Sequence, residues 1–76
     1  MREQHRPLTP IQRAALLVVR SRQERGDPGP TMDEIAGALG VCKARVVAVA
    51  DALERKGAVV WPRALGRRMA RMARAV

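Results

Sequence analysis

Glycine and proline divide this chain into three stretches that can be helical and a last one that reads as strand, and this partition constrains the fold more than any other feature. Gly26-Asp27-Pro28-Gly29-Pro30 excludes helix, because proline lacks a backbone N–H and glycine gives up the most conformational freedom on ordering. Gly40 and Gly57 make the next two breaks. The segments between them predict a helix from Thr9-Pro10 to about Arg25, a short one from Thr31 to Leu39, and a third from about Lys43 to Lys56.

The ends of these segments carry the matching chemistry. Thr9 supplies a capping oxygen and Pro10 fits the first helical position. Thr31-Met32-Asp33-Glu34 is a capping box, with the Glu34 carboxylate reaching back to the cap residue. Ile35, Ala36 and Leu39 form the buried side of the second helix, and Val41 is placed to plug the core after the Gly40 turn. In the third segment Val46, Val49, Ala50 and Leu53 repeat at i, i+3, i+4 and i+7, the pattern of one buried helix face. Ala14 to Val19 is apolar on nearly every side, which marks a central helix or one with a second buried face.

After Gly57, Ala58-Val59-Val60-Trp61 reads as a strand stopped by Pro62. Pro62 to Gly66 reads as a turn, and Arg67 to Met72 as a returning strand. The helix propensity of Arg67 to Arg74 keeps a fourth helix open as the alternative. The fold class is therefore mainly α: a three-helix winged helix-turn-helix with a small C-terminal β-wing. Residues 1–8 read as a flexible basic arm, 9–72 as the domain, and 73–76 as a C-terminal tail.

Seventy-six residues leave room for one core, and such a small domain gains appreciably from a partner. The net charge of +8 points to an anionic one. Thirteen of the fifteen cations are arginine, whose planar fork grips phosphate oxygens in pairs. From Arg55 onward the chain has seven cations and no acid, whereas residues 1–54 are nearly balanced. The single cysteine excludes an internal disulfide, and His5 stands alone, so no metal or other cofactor is expected. The longest apolar run, Ala14 to Val19, is far too short for a membrane span, and no signal peptide is evident; a cytoplasmic protein is the expectation. The seven acids are scattered and no nucleophile has a base at useful spacing, which argues against an enzyme.

Two helices joined by a short turn at Gly40 have the form of a DNA-binding helix-turn-helix, and a Val-Val strand after the third helix is the order of its winged variant. Leu8-Thr9-Pro10, the Gly26-to-Thr31 connector, Glu34-Ile35-Ala36, Leu39-Gly40 and Arg55-Lys56-Gly57 together resemble the N-terminal DNA-binding domain of the LexA repressors, over roughly residues 8–72. The turn and third helix are spaced more like the MarR and GntR types of winged helix. The self-cleaving peptidase domain of the LexA repressors has no counterpart in these 76 residues. The resemblance thus implies fold and DNA binding, not autoproteolysis.

On this reading the partner is double-stranded DNA, with a homodimer on a palindromic site as an option. Lys43, Ala44, Arg45, Val47 and Ala48 would meet the major groove, and Thr31 would offer its backbone and hydroxyl to a phosphate. Arg63, Arg67 and Arg68, with Arg71 less central, would reach the minor groove or its flanking phosphates. The base-reading face is thin: beyond its first turn it offers Ala, Val and Asp51, a carboxylate that would repel phosphate, and Cys42 stands where a capping Ser or Thr is usual. Two further readings compete. The Ala44/Val47/Ala48 face could dock a protein partner, such as another regulator or a polymerase, or the arginine run could make an architectural, DNA-bending recombination accessory factor. Trp61, Met69 and Met72 are expected in the core, the two methionines alternatively at an interface.

Overall fold

The computed structural model describes residues 7–76. It contains helices α1 (Pro10–Arg25), α2 (Met32–Leu39) and α3 (Lys43–Arg55), then strands β1 (Val59–Val60), β2 (Arg63–Ala64), β3 (Arg67–Arg68) and β4 (Arg74–Ala75). Three helices followed by a small antiparallel ribbon make a winged helix, in agreement with the sequence reading. The basic arm expected over 1–8, and His5 within it, falls almost wholly outside the described residues. Its last two positions are fastened: the carbonyl of Pro7 accepts from Lys56 Nζ at 3.0 Å, and that of Leu8 from Arg13 at 2.8 Å.

The two threonine-capped helix starts form as expected, and both are full capping boxes. Thr31 Oγ1 accepts from the Glu34 N–H at 3.1 Å, while the Glu34 carboxylate accepts from the Thr31 N–H at 3.1 Å. Thr9 and Gln12 repeat the arrangement at 3.3 and 3.2 Å. Gln12 also accepts from Lys56 Nζ at 2.7 Å, which ties the start of α1 to the end of α3. Cys42 holds the N-cap position of α3 without a side-chain capping bond.

The core gathers Ala15, Leu16 and Val19 of α1, Ile35 of α2, Val46, Val49, Ala50 and Leu53 of α3, and Val59, Trp61, Ala73 and Ala75 of the ribbon. No described polar or charged side chain is fully buried. Trp61 lies in this core, 4% exposed, with its indole N–H donating to the Met69 carbonyl at 2.8 Å. A buried indole needs such an acceptor, and a ribbon carbonyl supplies it.

The wing differs from the simple hairpin the sequence suggested. β1 pairs antiparallel with β4 (Val59 with Ala75, Val60 with Arg74), and β2 with β3 (Arg63 with Arg68, Ala64 with Arg67). Between the ladders the outgoing strand has two residues, 61 and 62, and the returning one has five, 69–73. The three extra residues bulge from the return path, so Arg67–Met72 is neither one strand nor a fourth helix. Residues 73–76, read as a tail, instead carry β4, whose Ala75 N–H donates to Gln23 of α1 at 2.8 Å. Met69 and Met72 lie in the bulge and are exposed, outside the core.

The bulge has an identifiable cause. Arg71 adopts a left-handed backbone, φ 62°, and its carbonyl accepts from the Gly29 N–H at 3.0 Å. A Cβ on Gly29 would lie 2.8 Å from the Ala73 carbonyl oxygen, so only glycine lets the α1–α2 connector approach this turn. That approach buries Ala73 and delivers the chain to β4.

Candidate nucleic-acid interface

α3 buries one face and leaves the other to solvent. Lys43, Ala44, Arg45 and Ala48 are exposed along its outer side, and Val47 is half-buried. At about 100° per residue these five expected contact residues spread over roughly half the helix circumference, from Lys43 and Val47 through Ala44 to Ala48 and Arg45. Arg45 and Ala48 also line a shallow groove of about 570 Å³ with Thr9, Pro10, Ile11 and Gln12 of the first α1 turn. That turn carries no acid. A helix start without a carboxylate presents partial positive charge beside Arg45.

The wing arginines are not equivalent. Arg63 forks onto Glu54 of α3, with contacts of 3.0 and 3.1 Å to its two oxygens. Arg68 reaches the same carboxylate at 2.6 Å and also pairs with Asp51. Its guanidinium stacks 5.7 Å from the centre of the Trp61 ring. Arg71 points away from the wing, to Glu34 at the start of α2, with contacts of 3.3 and 3.0 Å. Arg67, between these residues in sequence, is exposed and forms no ion pair with a described residue. Arg45 and Arg55 are likewise exposed and unpaired among the described residues.

These pairings account for the titration behaviour. Hydrogen bonding from Arg68 holds Asp51 below its ordinary value. Partial desolvation pushes Glu54 upward, but the hydrogen bonds and charges of Arg63 and Arg68 outweigh it and hold this carboxyl low. Arg68 shows the mirror image: desolvation opposes its charge, and the hydrogen bonds it donates to Asp51 and Glu54 raise its pKa. Glu34 is held low first by the Thr31 N–H and then by Arg71. Asp51 therefore does not face the outer side of α3 as an unpartnered repulsive charge.

Thr31 is occupied within its own helix start. Its N–H and its hydroxyl oxygen are both engaged in the capping box, and Glu34, bonded to it, also pairs with Arg22 at 3.1 Å and with Arg71. The structure thus places Lys43, Ala44, Arg45, Val47 and Ala48 along the outer half of α3, anchors Arg63 and Arg68 on its C-terminal half, leaves Arg67 exposed on the hairpin, and sends Arg71 to the Thr31/Glu34 corner. The bracing role of Glu54 and Asp51 went unread in the sequence. Its only local signal is an acid pair at i, i+3 on α3, followed by a run of arginines.

Among the described residues no helix is long and apolar enough to cross a membrane. Residues 5–68 match the family model of the LexA DNA binding domain. No curated protein sequence matches the chain.

Proposed function

This chain belongs to the LexA DNA-binding domain family, and from that premise we propose that it is a transcription regulator that lays α3 in the major groove of duplex DNA and its wing along the neighbouring backbone or minor groove. The observation that carries this reading is Arg45, exposed and without an ion-pair partner among the described residues, standing with exposed Ala44 and Ala48 beside the acid-free first turn of α1. Arg45 and Lys43 serve the phosphates and base edges nearest the start of α3. Ala44, Val47 and Ala48 meet thymine methyl groups.

The wing contributes unequally. Arg67 takes a phosphate, whereas Arg63 and Arg68 act first through Glu54 and Asp51, which set where the hairpin stands. Arg71 and Thr31 act through the α2 corner, so their contribution to affinity is smaller. One domain of this size offers few base contacts, so two copies on a palindromic site complete the proposal. Binding alone, by blocking or recruiting other proteins, performs the regulation, and no catalytic step is involved.

The test is to retain fragmented genomic DNA on the purified protein and sequence what stays bound. Enrichment of one palindromic sequence is the expected result. Retention of every fragment in proportion to its length would overturn sequence-specific regulation.

A further inference from the structure

The wing ends in a feature that the arginines do not explain. Leu65 and Gly66 form the two-residue turn between β2 and β3, and both have positive φ, 54° and 77°. Such a turn matches the right-handed twist of a hairpin and favours Asn-Gly or Asp-Gly, because the first position must also be left-handed. A γ-branched apolar residue is a poor occupant of that position. Leu65 nevertheless stands there with its side chain fully exposed, 101% of the reference value. It touches no core, so packing does not offset the strained backbone.

Its surroundings indicate what it meets. The ribbon beneath it is basic, with Arg63 and Arg68 paired across the strands and Arg67 opposite Ala64. No acid occurs anywhere beyond Glu54. Arg63 and Arg68, one on each strand, are both anchored on Glu54, so the tip is held at a fixed place beside the C-terminal half of α3. An apolar side chain at the tip of a narrow cationic hairpin, with the exposed Val60, Met69 and Met72 further down the ribbon, suits a polyanion with apolar gaps, and nucleic acid offers these between its stacked bases. A protein surface would call for a broader apolar patch.

We infer that Leu65 is an apolar wedge that enters the minor groove and parts a base step, kinking the duplex toward the major groove. Leucine is among the side chains able to do this, and the cost of unstacking is repaid by the wider surface that bent DNA lays on the protein. The inference rests on the DNA-binding reading above and adds a deformation to it. Steps that unstack easily, the pyrimidine–purine steps, would be favoured under the tip.

The experiment compares the unaltered protein with Leu65→Asn and Leu65→Met on a mixed-sequence duplex of about 30 bp, dye-labelled at both ends, at low salt. Energy transfer reads the bend and anisotropy reads the affinity. The unaltered protein and Leu65→Met are expected to bend the duplex by at least roughly 20°. Leu65→Asn should bind on the order of tenfold more weakly and leave the duplex straight. Its thermal midpoint should rise by a few degrees, since Asn-Gly suits this turn, so weaker binding would not reflect misfolding. Binding without a bend by the unaltered protein, or an equal bend by Leu65→Asn, would overturn the wedge. Absence of duplex binding by all three proteins would instead overturn the DNA-binding reading.

Discussion

Arg68 closes on the Glu54 carboxylate with two of its nitrogens, Nη2 at 2.6 Å and Nε at 3.1 Å from Oε1, while Arg63 holds the same carboxylate from the other strand of the hairpin. One acid on α3 thereby fixes both strands of β2–β3 and neutralises part of the charge that the sequence places on the wing. The cations left for a polyanion are those without such partners. In duplex titrations at a series of salt concentrations, Arg67→Ala and Arg45→Ala should each flatten the log–log slope by about 0.9. Arg63→Ala should flatten it by clearly less, and equal losses at all three positions would contradict the masking.

The same network makes the wing sensitive to acid. Asp51 and Glu54 are held below their ordinary values, so they bind fewer protons in the folded than in the unfolded chain. Their contribution to stability is complete above the ordinary glutamate value of 4.5 and is lost as pH falls below it through the lowered folded values. Thermal midpoints followed by the fluorescence of Trp61 should drop on acidification in that range. Glu54→Gln should lower the midpoint at neutral pH and shrink the acid-induced drop.

Gly29 lies where the α1–α2 connector meets the turn at Arg71 to Ala73. A methyl group there would press on backbone atoms at 2.8 and 3.0 Å, which cannot rotate away as a side chain would. Gly29→Ala should destabilise the domain by about 1–3 kcal/mol, measured by denaturant unfolding. Amide exchange should speed up first at Ala75 and Val76, whose N–H groups hold the C-terminal strand to Gln23 and Ala58.

Cys42 caps α3 in backbone conformation only; its side chain makes no capping bond. Cys42→Ser places a good acceptor at an exposed position already in the required extended geometry. Urea unfolding should show a gain of roughly 0.5–1 kcal/mol. An unchanged midpoint would mean that the first-turn N–H groups of α3 are satisfied without a side-chain cap.

What was legible in the sequence was local. Thr9, Thr31, Gly26 and Gly40 announce helix ends through their own backbone chemistry, and the i, i+3, i+4 spacing of Val46, Val49, Ala50 and Leu53 announces the buried face of α3. Even here the Thr9–Gln12 capping box was available to the reading that found Thr31–Glu34, since both have the same spacing. The wing was harder because its path is decided at a distance. Ala73 and Ala75 are buried because Gly29 and Gln23, some fifty residues earlier, receive the returning chain, and no periodicity within 67–76 encodes that. The arginines misled for a related reason. Composition counts Arg63, Arg68 and Arg71 as equal to Arg67, whereas folding brings Glu54, Asp51 and Glu34 against the first three.

In the proposed regulator, unpaired cations on α3 and the wing grip the phosphates of duplex DNA. The most direct measurement is the affinity of the unaltered protein for duplex DNA across a salt series. With Arg45, Arg55, Arg67 and the weakly paired Lys43 available, two to four neutralised phosphates predict a log–log slope of about −2 to −4. A slope near zero, or no binding at the lowest salt, would contradict the account.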